Sequence, residues 1–477
     1  MYKRTHPIKI IANLWHVFYL IIIPLIRGFL SALQKDFLSW LSGAWIDILV
    51  FVFMLLVAIL QWYMLRYSLS GEHFTVQSGI IFRSRVVILR PNISTISVVA
   101  PFYLRPFGAC LFRIDTPGGG HNRAELTIPL GQKEADSLAE LLSPCKASAR
   151  LSGSYIPKSR SIIFLSMLTS NSFAGIVFIS AFLSQSAKLF GNGFSNYLLA
   201  RFENFSRSLA FGIPPATAAI AYAALCGWLI GFLTTYVSYR NFVLNLKNST
   251  LSIYSGVLTK RHHIINYSKI NYIDTRQTIA SKLFGLYSLY ISAAGSGKLK
   301  GDISFAIPAE KLNNFTAIKS HIFPTFLSSS PNIKAHGKSI FRFILLPVSF
   351  LFSLFILSVI LIYLFPVWAS FVLYTGLMLL IPSSLFLVIR IIAFRESGIS
   401  KSENCYTICY SHGFDIHTVV FVMEKIASVK IRQSLFQVIS KNGLCDVTVV
   451  TVGEKSKRHK CKSLKLEAVN SLFLQKL

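Results

Sequence analysis

Long apolar runs divide the chain at regular intervals, and they occur in pairs. Each run is about 20 residues or longer, which is the length that an α-helix needs to cross the hydrocarbon core of a bilayer. Lys3 and Arg4 precede the first run as they would in a signal peptide, but no small-residue cleavage site follows, so we interpret the run as a retained helix. We therefore predict six membrane spans in three pairs, at residues 10–30, 46–65, 161–183, 211–236, 341–365 and 368–392.

A polar block with strand-like alternation follows each pair of apolar runs. Alternation such as that of residues 111–115 is typical of half-buried antiparallel strands. Several short strands followed by one helix predict a small β-barrel or sandwich, and hence an α+β membrane protein. In the first block the strand-like runs are residues 73–77, 80–89, 93–99, 109–115 and 124–129, and the helix is 132–142. The predicted parts are helices 1 and 2 (1–65), β-domain 1 (66–145), helices 3 and 4 (158–237), β-domain 2 (238–325), helices 5 and 6 (338–393) and a divergent β-domain 3 (394–477).

Glycines recur at matching positions in the three polar blocks. The first and second glycines of a block are 29, 29 and 30 positions apart, and the second and third are 10 apart each time. Glycine adopts positive φ without strain, so a shared spacing predicts that the blocks are repeats with the same turns. The predicted turn glycines are Gly79, Gly108, Gly118, Gly256, Gly285, Gly295, Gly413, Gly443 and Gly453.

Composition agrees with a membrane protein. The chain of 477 residues is 53% hydrophobic and 14% charged, whereas soluble proteins have about 25% charged residues. Its 48 Lys and Arg against 19 acidic residues give a formal charge of +29. Such an excess can indicate nucleic-acid binding. Because the apolar runs require a membrane first, we attribute the excess to cytoplasmic loops and expect no nucleic-acid partner.

The distribution of Lys and Arg predicts the orientation. Of the 48, 42 lie in the N-terminal tail, in the β-domains and their linkers or, for Arg390 alone, at the end of a span that borders a β-domain. An even number of spans places every β-domain and both termini on one side of the membrane, and the positive charge assigns that side to the cytoplasm. The loops inside the predicted helix pairs hold only Lys35, Lys188, Arg201 and Arg207.

The repeated motifs resemble a known family. The strand entries at Gly79 and Gly256, the Phe-Gly turns at Gly108 and Gly285, and the corners at Gly118 and Gly295 are similar to the YdbS/YdbT-like family of bacterial membrane proteins with pleckstrin-homology-like (PH-like) domains. Paired helices before each domain, three times over, resemble the YdbT type. The resemblance implies a barrel of about seven strands capped by a C-terminal helix, and no established catalytic residues. The third repeat departs most, since His412 stands where the other repeats have Ser.

Basic residues cluster in each repeat, and in the first two they follow the first motif glycine. Anionic lipid attracts Lys and Arg near a membrane by about 1 kcal/mol each. The resemblance implies that this region of a PH-like domain often carries phosphoinositide-binding basic residues. A solvated face that only fixes topology is the alternative. The candidate lipid-binding residues are Arg83, Arg85, Lys260, Arg261, Lys455, Lys457, Arg458 and Lys460.

Other side chains that could carry chemistry form no pattern. His262 and His263 are adjacent, so they would face opposite sides of a strand. Cys405 and Cys409 have no second cysteine pair at zinc spacing. The glycines of 118–120 lack the Lys and Ser or Thr of a phosphate-binding loop. No nucleophile and base stand out and acidic residues are scarce, so we expect no metal, no cofactor and no enzymatic activity.

These observations predict a non-enzymatic bacterial inner-membrane protein that presents three cytoplasmic PH-like domains to protein partners or anionic lipid headgroups. The resemblance suggests a role in envelope stress or resistance to membrane-active peptides, with a smaller membrane protein of the same family as partner. The alternative is a transporter or exporter whose cytoplasmic domains gate a path, and a further one is a membrane-bound enzyme with an unrecognised site. A transporter needs polar groups in the spans, and the sequence offers only Asp47, Asn171 and Arg342.

Overall fold

The computed structural model describes residues 2–17, 37–117, 125–143, 152–170, 213–247, 249–293, 305–402, 404–439, 443–452 and 458–473, together with isolated residues between 193 and 208. The chain forms two compact units. Unit 1 holds Met1–Ser152, Leu244–Lys269 and Ala293–Ile303, and unit 2 holds Gly153–Val243, Ile270–Ser292 and Ser304–Leu477. The second repeat is therefore divided between the two units.

Helices form at both the apolar runs and the ends of the polar blocks. They are α1 (Ile8–Val17), α2 (Phe37–Met64), α3 (Gln132–Leu142), α4 (Ser159–Thr169), α5 (Pro215–Tyr239), α6 (Ile279–Leu283), α7 (Leu312–Ile322), α8 (Ile340–Leu364), α9 (Ala369–Glu396), α10 (Leu435–Ile439) and α11 (Leu466–Phe473).

Three helices in the described part of the chain are long and apolar enough to cross a membrane: Thr217–Tyr239, Gly337–Leu364 and Pro366–Glu396. They correspond to predicted spans four, five and six. The apolar parts of α2 and α4 are shorter, at Ile48–Met64 and Ser159–Thr169. Most of predicted spans one and three lies outside the described residues, so the structure supports three of the six spans by length and composition.

The ends of the first helix pair are joined by polar contacts in unit 1. Asn13 Nδ2 donates to Gln61 Oε1 at 2.7 Å. The indole Nε1 of Trp62 donates to the carbonyl oxygen of Thr5 at 2.9 Å. These bonds hold α1 against the C-terminal end of α2, as a helix pair requires.

Unit 1 contains the first repeat and the first strands of the second. The strands β1 to β4 form one sheet in that order, and β7-β6-β5-β11-β10-β9 follow one another in a second sheet. Apolar side chains of both sheets and of α3 share one core, in which Phe74, Phe112, Ile114 and Leu142 are no more than 1% exposed. The strands are β1 (Lys3–Arg4), β2 (Arg66–Ser70), β3 (His73–Ser78), β4 (Ser84–Leu89), β5 (Thr95–Ala100), β6 (Ala109–Asp115), β7 (Leu126–Gly131), β9 (Val243–Lys247), β10 (Thr250–Ser255) and β11 (Lys260–Asn266). The short strand β8 (Ser152–Tyr155) belongs to unit 2 except for Ser152.

Unit 2 contains the remaining strands of the second repeat and all of the third. One sheet has the order β14-β13-β12-β18-β17-β16-β15, and a smaller sheet has the order β19-β20-β21. The strands are β12 (Ile270–Thr278), β13 (Leu286–Ala293), β14 (Phe305–Lys311), β15 (Ile333–Lys334), β16 (Gly398–Lys401), β17 (Cys405–His412), β18 (Asp415–Val422), β19 (Ile426–Arg432), β20 (Leu444–Thr451) and β21 (Arg458–Lys465).

The first and third repeats each include a short strand that precedes the helix pair in sequence, which the sequence pattern did not predict. In the first repeat β1 pairs with β2, and in the third β15 pairs with β16. A two-residue strand has too few positions to show an alternating pattern. The β-domain of these repeats therefore takes up chain on both sides of the helix pair.

Neighbouring repeats are joined by strand pairing. In unit 1, β5 of the first repeat pairs with β11 of the second along its whole length. In unit 2, β12 of the second repeat pairs with β18 of the third. The second sheet of one repeat thus continues into the first sheet of the next, so the repeats are parts of shared sheets and not separate closed barrels.

Candidate membrane-surface site

The hairpin between β3 and β4 contains the first cluster of predicted lipid-binding residues. The two strands are paired as far as Ser78 and Ser84, so residues 79–83 form the turn. Gly79 has a φ of 108°, and a Cβ added there would lie 1.9 Å from the carbonyl oxygen of Phe82. Because no other residue fits this position without moving the backbone, glycine fixes the tight turn.

The tip of this hairpin is apolar and almost fully exposed. Ile81 is 86% exposed and Phe82 is 89% exposed. Together with Leu60 and Leu65, at the end of α2, they line an open cleft of about 790 Å³. Burial of an Ile or Phe side chain is worth about 1.5–3 kcal/mol, so this tip favours an apolar environment next to the apolar helix α2.

Basic side chains surround the other side of the same turn. Arg83 and Arg85 line a cleft of about 400 Å³ together with Arg66 and Met64. Met64 is the last residue of α2, and the Arg66 guanidinium lies 5.4 Å from the ring centroid of Tyr63. Guanidinium groups bind phosphate through paired hydrogen bonds. The cleft therefore offers three such groups at the C-terminal end of α2.

The equivalent hairpin of the second repeat, between β10 and β11, is similar at its tip but differs at its base. Val257 and Leu258 are 38% and 57% exposed. The Arg105 guanidinium donates to the carbonyl oxygen of Val257 at 2.6 Å. The predicted residues Lys260 and Arg261 lie on β11, which is paired on both sides, and Lys260 is exposed. Here the basic pair belongs to the junction between repeats.

The third repeat brings its hairpin against a membrane helix. The turn between β17 and β18 consists of Gly413 and Phe414, and the Phe414 ring centroid lies 5.3 Å from that of Phe386 in α9. Arg390 of the same helix donates to Ser411 Oγ at 3.0 Å. Since α9 is one of the three helices able to span a membrane, the tip of this hairpin lies beside a membrane-spanning segment.

The repeated glycines adopt the backbone conformation that their spacing predicts wherever the structure describes them. Their φ angles are positive at Gly79 (108°), Gly108 (64°), Gly256 (91°), Gly285 (62°), Gly413 (62°) and Gly443 (56°). The others, Gly118, Gly295 and Gly453, lie outside the described residues. The first glycine of each repeat starts the turn of the hairpin just described.

A protein-family model described as "Bacterial PH domain" matches residues 18–145 and 198–324, which is more than half of the chain. The chain belongs to the bacterial PH domain family. It is also 22% identical, over 490 aligned positions, to the UPF0699 transmembrane protein YdbT of Bacillus subtilis (strain 168). That alignment covers 95% of this chain and 96% of YdbT. No solved structure matches significantly. The chain is thus a membrane protein with PH-like domains, similar to YdbT over nearly its whole length.

In the third PH-like repeat the predicted basic residues lie away from the hairpin. Arg458 and Lys460 are on β21, and Lys460 Nζ lies 3.4 Å from Asp446 Oδ2. Asp446 also accepts two hydrogen bonds from the Arg342 guanidinium, at 2.8 and 3.0 Å. The cluster is therefore partly neutralised by a buried carboxylate. The other two predicted residues, Lys455 and Lys457, lie outside the described residues.

The adjacent histidines of β11 in the second PH-like repeat are held in separate environments. His262 stacks on Tyr254 with ring centroids 4.0 Å apart, and burial lowers its pKa to about 4. His263 Nδ1 lies 2.8 Å from Ser97 Oγ, and burial lowers its pKa to about 3. Within the described ranges no group of three or more His, Cys, Asp or Glu side chains could hold a metal ion. Both rings are therefore neutral packing groups at the junction between repeats.

An ionic cluster between the second and third PH-like repeats was not predicted from the sequence. Asp274 on β12 is 2% exposed and accepts hydrogen bonds from Arg276 Nε at 2.6 Å and from His417 Nδ1 at 2.9 Å. The Arg276 guanidinium lies 3.9 Å from the ring centroid of Tyr290. Burial alone would raise the pKa of Asp274, but the hydrogen bonds and charges of His417 and Arg276 outweigh it and hold that pKa below its ordinary value. The cluster fastens β12 to β18.

Proposed function

We propose that this protein is a non-enzymatic component of a bacterial inner membrane that displays its PH-like repeats at the cytoplasmic surface, where they bind anionic lipid headgroups and protein partners. The observation that supports this best is the β3–β4 hairpin. Its exposed Ile81 and Phe82 lie next to Arg83 and Arg85, at the end of α2.

In this proposal the apolar tip enters the acyl boundary while the guanidinium groups bind lipid phosphates. Full burial of Ile81 and Phe82 would contribute about 3–6 kcal/mol, and each Arg near an anionic surface adds about 1 kcal/mol. In the third repeat, Phe414 at the tip of the equivalent hairpin packs against Phe386 of α9, which supports insertion of this type of hairpin tip at the membrane boundary.

Three repeats on one chain also suit a scaffold. Tethered modules raise the effective concentration of a common ligand, so no single module has to bind tightly. The cytoplasmic orientation is supported by the 42 basic residues assigned to that side. We propose a smaller membrane protein of the same family as a partner, and a role in envelope stress or resistance to membrane-active peptides.

The polar groups within the described membrane helices favour the scaffold over a transporter. The hydroxyls of Ser349 and Ser358 in α8 donate to carbonyl oxygens of their own helix, at 2.9 Å in both cases. Thr375 and Ser383 in α9 do the same at 2.7 Å. Hydroxyls bonded within their own helix are not donors to a transported solute.

Lipid binding is tested by native mass spectrometry of the full-length protein in nanodiscs that contain phosphatidylglycerol and phosphatidylcholine. The Arg83→Gln/Arg85→Gln variant is expected to retain several-fold less phosphatidylglycerol than wild type. A matched variant, Lys133→Gln/Lys247→Gln, removes the same charge from exposed positions elsewhere in unit 1 and should retain wild-type amounts. Equal retention by all three proteins would refute the site assignment.

Insertion of the tip is tested separately. A Phe82→Cys variant labelled with an environment-sensitive fluorophore should show a blue-shifted emission in nanodiscs, and quenchers attached to the acyl chains should reduce it. Labelling at Lys133→Cys provides the water-exposed reference. Emission at position 82 that matches this reference would mean that the tip stays in water.

A further inference from the structure

The junction between neighbouring repeats is built twice in the same register. The three repeats have matching 3₁₀ turns at Arg90–Asn92, Tyr267–Lys269 and Met423–Lys425. At each junction, the strand that ends just before the 3₁₀ turn of one repeat pairs with the strand that follows the 3₁₀ turn of the preceding repeat. In the first junction Ile265, two positions before its 3₁₀ turn, lies opposite Thr95, three positions after the 3₁₀ turn of the first repeat. In the second junction Phe421 and Tyr272 lie opposite each other at the same two positions. Two junctions with one register indicate a repeated docking rule.

The apolar pair next to that reference position is buried in both junctions. In unit 1, Ile264 lies opposite Ile96, and they are 6% and 1% exposed. In unit 2, Val420 lies opposite Ile273, and both are 0% exposed. Each docking therefore removes one apolar side chain of each strand from water.

The two strands that would continue this series lie at sheet edges. β4 is the last strand of the sheet β1 to β4, and β19 is the first of the sheet β19 to β21, so among the described strands each has one edge without a partner. Val87 of β4 corresponds to Ile264, because each is three positions before its 3₁₀ turn. Val429 of β19 corresponds to Ile96, because each is four positions after its 3₁₀ turn. Val87 is 50% exposed, whereas Ile264 is 6% exposed.

We propose that β19 of one molecule pairs antiparallel with β4 of a second copy of this chain, in the register of the internal junctions. An unpaired strand edge is a template for strand addition. The chain itself carries both complementary edges, which identifies a second copy as the occupant. This contact is heterologous, so it joins copies head to tail. The inference does not depend on the proposed lipid binding.

The side chains at this register are compatible. Val87 faces Val429, as Ile264 faces Ile96 in the internal junction. Arg85 faces Ile431, so two basic side chains are not directly opposite. Lys430 faces Val86 and Arg432 faces Ser84, on the other face of the sheet from Arg85.

Cross-linking in membranes tests the register. Two differently tagged full-length copies are co-expressed, one with Val87→Cys and the other with Val429→Cys, and the membranes are oxidised. Opposite residues of antiparallel strands have Cβ atoms about 4.5–5.5 Å apart, close enough for a disulfide after a small shift. We expect a dimer that carries both tags, several-fold more abundant than with either cysteine alone.

A register control uses Val87→Cys with Arg432→Cys, whose side chain lies on the opposite face and three positions away. Cross-linking of this pair as strong as that of the Val87 and Val429 pair would overturn the proposal. An adduct of either cysteine with a different protein in place of the second copy would overturn it as well.

A second measurement does not depend on disulfide chemistry. Val87→Lys places a charge at the docking edge. Because Val87 is 50% exposed, the substitution should leave the domain folded. Mass photometry of the solubilised protein should show a loss of oligomers relative to wild type, with unchanged circular dichroism. The proposal would be refuted if the wild-type protein were monomeric at all concentrations tested.

Discussion

Asp274 is expected to be the residue on which the junction between the second and third repeats depends most. Its carboxylate is 2% exposed and bonded to both Arg276 and His417. The substitution Asp274→Asn keeps the shape of the side chain but leaves a guanidinium without its counter-charge. Loss of one partner from a buried ion pair costs about 3–5 kcal/mol. Because the Arg276 side chain is 28% exposed, we expect a cost near the lower limit, about 3 kcal/mol.

The assay is hydrogen–deuterium exchange of the full-length protein in nanodiscs. A cost of about 3 kcal/mol corresponds to an increase of about 10²-fold in local opening. We expect this increase for the amides of β12 and β18, with unchanged protection in β5 and β11. Glu424→Gln, an exposed acid just after β18 in the third repeat, loses the same charge and should leave exchange unaffected. If Asp274→Asn exchanges no faster than Glu424→Gln, the ionic cluster does not stabilise the junction.

The same carboxylate predicts a pH dependence with a definite sign. The pKa of Asp274 is lowered in the folded protein, so its contribution is complete above the unfolded value of about 3.9. It is lost as the pH falls from that value through the lower folded pKa. The difference in stability between wild type and Asp274→Asn should therefore be constant at neutral pH and shrink below about pH 4.

Two further predictions concern single positions. Burial lowers the pKa of His263 to about 3, so the unfolded chain takes up the proton first. The free energy of unfolding of unit 1 should then fall by up to about 1.4 kcal/mol per pH unit below pH 6.5. This fall should be smaller in His263→Gln. His73 is exposed, so the control variant His73→Gln should behave as wild type. A Cβ at Gly398 would lie 2.6 Å from the Ile333 carbonyl oxygen, so Gly398→Ala should separate β15 from β16 and speed proteolysis there. Gly337→Ala, with no atom within 4 Å of the new Cβ, is its control, and equal cleavage of both variants would contradict the reasoning.

Local patterns predicted the elements that depend on local sequence. The helix expected at residues 132–142 is α3, and the strand expected at 109–115 is β6. Both carry a clear periodicity of apolar residues, and their ends coincide with glycines at Gly108 and Gly131. Where neighbouring residues determine the structure, the sequence is sufficient.

The same reasoning was wrong for the run at residues 80–89. The strand begins only at Ser84, because the positive φ of Gly79 reverses the chain and places the next four residues in the turn. Ile81 and Phe82 fall within the predicted strand, and they form instead the exposed tip of the turn. An apolar pair between a turn glycine and an arginine is the signal that could have identified it.

Contacts between distant parts of the chain could not be predicted. Asp274 and His417 are 143 positions apart, and nothing near either residue indicates the other. The pairing of β5 with β11 likewise joins different repeats. β5 is buried at all six positions, which is also what a strand inside a closed barrel would show, and β11 begins with basic residues and histidines that indicate no partner strand. Sequence therefore predicted the repeats but not how they are joined.

The short strands before the helix pairs bear on membrane topology. Residues paired in one open sheet lie on one side of a bilayer, because a sheet edge cannot pass through hydrocarbon. Between β15 and β16 the chain contains α8 and α9, and both are long enough to span a membrane. Because β15 and β16 pair with each other, the chain enters α8 and leaves α9 at the same sheet. The pairing of β1 with β2 imposes the same condition on residues 5–65. Any crossing within that stretch must therefore be matched by a second one. Strand pairing thus gives a reason for paired spans that is independent of their hydrophobicity.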